Sequence, residues 1–353
     1  MPVKRCEMSD IKNPYKIQPE RAFWKGSVGT RHFADLEDLW QPMSLRKTDR
    51  VATAGSCFAQ HIGNNLAIRG AAFMDMEPAP PLFASQADAR RWGFGVFSCR
   101  YGNIYTTRQL IQLFDEAHGD RIPAEQVWEK EGRYFDALRP GLDPVGQDSP
   151  EAVLALRRQH LDAVRTMFAE LDVFVFTMGL TEGWEAVADG TMYPLAPGTI
   201  AGQYRPEDYK LRNLRAREVR DDMEGFWDRL RKINPRARIL LTVSPVPLAA
   251  TATDNHVLVA TSWSKSVLRS VAGELSEDHS DIHYFPSFEI IASHPARGMF
   301  FEPDLRNVNA SGVDLVMKHF FSGALAKEFG DQALDKDSEP ELICDESRLD
   351  VPA

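Results

Sequence analysis

At 353 residues, with 43% hydrophobic and 26% charged residues, the chain has the composition of a soluble globular protein large enough for a sizeable core. Its 51 acidic against 41 basic residues give a formal net charge of -10, so neither nucleic acid nor an anionic membrane is expected as a partner. Met1–Lys16 holds no apolar stretch of the length a secretory signal needs and no later run approaches a membrane span, which predicts a cytoplasmic protein.

Residues 1–45 carry aromatic and charged residues without periodicity and read as an N-terminal arm; a single domain is expected over 46–328. It opens with a strand at 51–54, after which Phe58, Ile62 and Leu66 predict a helix over 58–69 that Gly70 ends. Residues 71–148, rich in Gly, Pro and aromatics, read as an irregular insertion. Ser149-Pro150-Glu151 starts a helix to about Glu170, with a capping Ser and Pro at the first helical position. The run Val173-Phe174-Val175-Phe176-Thr177 suits a strand buried on both faces, as does Ile239-Leu240-Leu241-Thr242-Val243.

Between those strands, Val219, Met223, Phe226, Trp227 and Leu230 stripe a helix over 217–233, stopped by Asn234-Pro235. A helix over 257–275, a strand at 282–285 and a helix over 311–328 follow. The acidic residues 329–353 read as a disordered tail. Alternating strands and helices imply an α/β fold in which a mostly parallel sheet is covered on both faces, with ligands at the carboxyl ends of the strands. The cysteines Cys6, Cys57, Cys99 and Cys344 are scattered, so no disulfide framework, metal or other cofactor is expected.

The strand ends carry the chemistry-bearing residues. Gly55-Ser56-Cys57 follows the first strand, where Ser56 is either a helix cap or a nucleophile, and Cys57 either a buried structural residue or a reactive thiol. Gly179-Leu180-Thr181-Glu182-Gly183-Trp184 follows the second, and Ser244-Pro245-Val246-Pro247 the third.

Gly55-Ser56-Cys57-Phe58-Ala59 resembles the signature of the GSCFA family. The likeness continues through Tyr101-Gly102-Asn103-Ile104-Tyr105, Phe176-Thr177-Met178-Gly179-Leu180-Thr181-Glu182, Leu241-Thr242-Val243-Ser244-Pro245-Val246-Pro247, Ser264-Lys265-Ser266 and Tyr284-Phe285-Pro286-Ser287-Phe288-Glu289. That bacterial family is similar to the SGNH (GDSL-like) hydrolases, whose fold is flavodoxin-like, a three-layer αβα sandwich, and whose members are esterases or acyltransferases often acting on carbohydrates.

The resemblance implies Ser56 as nucleophile. Its oxyanion hole would combine the Ser56 amide, a glycine amide and a side chain, with Gly102, Asn103, Gly179 and Thr181 as candidates. It also implies an acid and a base in the last block, where Asp304 is present and Asn307 stands at the position of the base histidine. Asn cannot exchange a proton near neutral pH, so the base is sought first at His256, then His294, with Glu182 as the other candidate base or orienting acid. Trp184 either stacks on a sugar ring or packs locally. The expected function is a serine-dependent ester hydrolase or O-acyltransferase acting on a small-molecule or carbohydrate ester, with a cell-surface polysaccharide included. The alternative is a binding or scaffold protein that kept the fold without catalysis.

Overall fold

Val173-Phe174-Val175-Phe176 is a strand because each of its side chains has an apolar layer to enter. Phe174 and Phe176 join one hydrophobic cluster, while Val173 and Val175 join the cluster on the opposite face. The structure, a computed structural model, describes residues 13–330, 343 and 345–349.

In chain order the elements begin with β1 (Arg50–Gly55), α1 (Ala59–Ile68), β2 (Ala72–Phe73), α2 (Gln86–Arg91), α3 (Thr107–Ala117), β3 (Val127–Lys130), β4 (Arg133–Asp136) and α4 (Pro150–Glu170). There follow β5 (Val173–Met178), β6 (Glu182–Ala186), β7 (Met192–Tyr193), β8 (Tyr209–Asn213), α5 (Ala216–Ile233) and β9 (Arg238–Val243). The last are α6 (Val257–Asp278), β10 (Ile282–Phe285), α7 (Ser287–Ala292), α8 (Ala310–Phe320) and α9 (Gly323–Phe329).

Five strands form one parallel sheet in the order β10-β9-β5-β1-β2. Buried residues of α3, α4, α5 and α6 cover one face, and those of α1, α7, α8 and α9 the other. This is the three-layer αβα arrangement. Numbered within the sheet, the order reads 2-1-3-4-5, the flavodoxin-like pattern, in which the switch of direction falls between β1 and β5. A crevice opens at the carboxyl end of such a switch point, so the ends of these two strands are where a site belongs. Gly55, Thr177, Thr242 and Phe285 lie at one level across the sheet.

Ser149 caps α4 by accepting from Ala152 N at 3.2 Å, with Pro150 in the first turn. The apolar stripe expected over 311–328 is buried at Val313, Val316, Met317, Phe320, Phe321 and Leu325, yet the helix is broken into α8 and α9 at Ser322-Gly323, where Gly323 has φ +57°. The region 71–148 holds regular pieces that composition hides. There α3 starts at a capping box of Thr106 and Gln109, and β3 pairs with β4 as a hairpin.

A buried ionic network fastens this region to α4. Arg157 meets Glu116 and Asp136, Arg139 meets Asp136, and His160 Nδ1 lies 2.7 Å from Glu77. Beyond the carboxyl edge of the main sheet, β7-β6-β8 form a small antiparallel sheet over Trp128, Tyr193 and Tyr209. Of the arm, residues 1–12 lie outside the described residues; Trp40 is fixed by its indole N–H on His319 O at 2.8 Å and by edge contact with Phe285. Among the described residues no helix is long and apolar enough to cross a membrane.

The fold depends on Gly55. Its φ is +137°, and a Cβ there would overlap the Thr177 carbonyl and lie 2.8 Å from Thr177 N, both rigid backbone of β5. Gly55→Ala is expected to cost more than about 4 kcal/mol, seen as a collapsed Tm or loss of soluble protein, because neither conformation nor space admits the methyl.

Candidate active site

The turn after β1 builds the first wall. Ser56 N donates to Thr177 O at 3.2 Å, which holds the residue against the end of β5. The capping role open to Ser56 is not the one it plays: the N-cap of α1 is Phe58, with no side-chain cap bond. Ser56 is 3% exposed, and its hydroxyl has no hydrogen-bond partner among the described residues. A buried hydroxyl without a partner is rare, since it forfeits the bonds it would make to water. Cys57 is also buried.

The second wall is the segment leading to α3, which runs along β1 and then crosses its end. Ser98 Oγ accepts from Thr53 N at 2.9 Å, the Tyr101 hydroxyl donates to Thr53 O, and Ile104 N donates to Gly55 O at 2.9 Å. Tyr105 O then accepts from Gly179 N at 3.1 Å and Leu180 N at 2.9 Å, so the segment bridges from β1 to the end of β5. Gly179 must lack a side chain here, because a Cβ would lie 3.0 Å from Ser56 Cβ and 3.2 Å from Tyr105 O.

Helix α6 supplies the third wall. Ser264 Oγ accepts from Thr181 N at 3.0 Å, and Lys265 Nζ donates to Gly179 O at 2.7 Å. Lys265 is 2% exposed. Burial pulls its ammonium down from the ordinary lysine value to about 8; Glu346 and Cys57 oppose that shift, and Arg306 adds to it. One residue, Gly179, therefore links the two groups: its carbonyl holds the Lys265 amine and its Cα packs on Ser56.

Several of the expected oxyanion donors are already engaged. The amides of Ser56 and Gly179 are occupied by Thr177 O and Tyr105 O, and the Thr181 hydroxyl turns away to Asn213 Oδ1 at 2.7 Å. Asn103 is the residue whose donors converge: its backbone N–H and its Nδ2, the latter at 3.2 Å, both reach the Asp345 carboxylate. Gly102, at φ +69°, sets the turn that presents them.

The candidate bases have other partners. Since Ser56 Oγ has no partner among the described residues, none of His256, His294, Glu182 or Asp304 is bonded to it. His256 is exposed and caps α6, its Nδ1 accepting from Leu258 N at 3.2 Å. His294 is exposed and stacks on Trp24 at 5.3 Å. Glu182 lies in β6, where burial raises its carboxyl and Thr251 Oγ1 donates to it at 2.9 Å.

Asp304 and Asn307 face each other on an exposed loop, with Asn307 Nδ2 2.6 Å from Asp304 Oδ2. The residue that loop sends inward is Arg306, 3.3 Å from Glu346. Trp184 is half-buried and meets Tyr204 edge-on at 5.2 Å in the small sheet. Lys265 and Tyr105 lie within motifs that assign them no role, and Arg306 lies between Asp304 and Asn307. For Lys265 a signal was present: 265, 268, 272 and 275 fall on one stripe of α6 whose other members, Leu268, Ala272 and Leu275, are core.

The model of the GSCFA family matches residues 50–320. No curated protein matches the chain.

Proposed function

The chain belongs to the GSCFA family, and from that premise and the geometry of its sheet edge we propose that it is a serine-dependent ester hydrolase or O-acyltransferase with Ser56 as nucleophile. The carrying observation is the Ser56 hydroxyl, buried without a partner among the described residues at the switch point of the sheet, against Gly179, whose carbonyl accepts from the buried Lys265 of α6. A nucleophile needs its oxygen unspent, and of the buried hydroxyls without a partner among the described residues, those of Thr53, Ser56 and Thr177, the one in the turn beyond the strand ends is Ser56.

In the proposed step, Lys265 in its neutral form takes the Ser56 proton as Oγ attacks the acyl carbon. The tetrahedral oxygen is received by the Asn103 donors, and the proton passes to the departing alkoxide as the ester C–O bond breaks. Water or an acceptor hydroxyl then takes the acyl group from Ser56. The lysine replaces the histidine that the last block lacks, and its lowered affinity for protons is what such a base requires at neutral pH. An acylated carbohydrate is the proposed substrate, on the resemblance to the SGNH hydrolases.

Prolonged exposure to a fluorophosphonate probe is expected to label the peptide containing Ser56, and mass spectrometry locates the adduct. Folded protein that stays unlabelled would favour the second reading, a binding protein on the same fold, which the burial of Ser56 supports.

A further inference from the structure

Ile343, Asp345 and Glu346 lie against residues at the carboxyl edge of the sheet. One amide side chain holds the Ile343 backbone on both sides: Ile343 N donates to Gln60 Oε1 at 3.1 Å, and Ile343 O accepts from Gln60 Nε2 at 2.6 Å. Asn103 Nδ2 lies 3.4 Å from the same carbonyl and 3.2 Å from Asp345 Oδ2. Gly141 leaves the space in which Asp345 sits, since a Cβ there would overlap the carboxylate. Glu346 N donates to the Tyr105 hydroxyl at 3.2 Å, and the Glu346 carboxylate lies 3.3 Å from Arg306 and within the field of Lys265.

Asp345 and Glu346 are both buried. Two carboxylates are held out of water only where built partners replace it. Here the partners come from α1, the segment before α3, the loop after β4, α6 and the loop before α8, which is the convergence of a recognition site rather than a chance surface contact.

We propose that this edge of the sheet is a binding cleft for an acidic peptide, occupied in cis by Ile343 and Asp345–Leu349, which close Ser56 against substrate. The Asp345 carboxylate occupies the Asn103 donors that would receive an acyl oxygen, and Glu346 neutralises Arg306 and Lys265. The closure, unlike the binding, rests on Ser56 being the nucleophile.

In the full-length protein, Asp345→Lys with Glu346→Lys is expected to speed amide hydrogen exchange in segment 102–105 and fluorophosphonate labelling of Ser56, each by at least ~10-fold, as the occupied fraction falls. A synthetic peptide with the sequence of residues 341–353, added in trans to that variant, should reverse both effects, and a scrambled peptide should not. Asp345→Asn with Glu346→Gln keeps side-chain size and is expected to move both readouts the same way, which guards against a misfolded lysine variant. Wild-type exchange and labelling in both double variants, with no binding of the peptide, would overturn the assignment. Faster exchange with no labelling of any chain would uphold the cleft and count against catalysis at Ser56.

Discussion

Ser56→Ala is expected to reduce turnover of an activated ester such as 4-nitrophenyl acetate by at least ~10³-fold, as for other lost serine nucleophiles, while leaving the fold intact. Its effect on stability should have the opposite sign. The hydroxyl is buried and bonded to nothing among the described residues, so the wild type carries a desolvation cost of about 1 kcal/mol that alanine removes. The variant should therefore unfold at the same or a slightly higher denaturant midpoint. A helix cap would behave in reverse, since its loss destabilises by about 1 kcal/mol. A variant that is destabilised and still active would sink the nucleophile assignment; one that is inert and at least as stable shows the trade of stability for function that active sites make.

That contrast follows from how the chain encodes its fold and its site. The strands β5 and β9 are legible because their apolar runs must be buried on both faces, and α4 because its cap and first-turn proline are local chemistry. The small sheet β7-β6-β8 is not legible: Glu182-Gly183-Trp184-Glu185-Ala186 contains a glycine and two acids, and it becomes a strand through antiparallel pairing with Met192–Tyr193 on one side and Tyr209–Asn213 on the other. Ser56 could be placed at a strand end from sequence, yet the occupation of its amide by Thr177 O is a contact between residues far apart in the chain. Of the acidic tail expected over 329–353, residues 331–342, 344 and 350–353 lie outside the described residues. An acidic stretch reads as solvated, but Asp345 and Glu346 meet Asn103, Arg306 and Lys265 only after the sheet has brought three separate segments to one edge. His256 is a histidine near a motif in sequence but exposed, whereas the buried amine at this edge is a lysine on the core stripe of a helix.

Lys265 gives the second large effect, and its pH dependence separates a base from a mere counter-charge. If the neutral amine takes the Ser56 proton, kcat/KM should rise with pH and level off above about 8, where Lys265 has shed its own proton. Burial sets this value; of the charged groups facing the amine, Glu346 and Cys57 work against the shift and Arg306 with it. Lys265→Met should lose roughly 10²- to 10⁴-fold in kcat/KM together with that limb. Lys265→Arg keeps a cation against Glu346 but cannot give up its proton, so it should be as inactive as the methionine variant if Lys265 is a base, and active if Lys265 only balances charge. Stability supplies an independent check whose sign follows from the lowered affinity. Between about 8 and the ordinary lysine value of 10.5 the unfolded chain binds the proton that the folded chain has released, so Lys265 contributes a rise in stability with pH across that window, superposed on the fall that Cys99 and Tyr101, raised by burial, give to wild type and variant alike. In Lys265→Met the rise should vanish, and a rise that persisted would place the titrating group elsewhere.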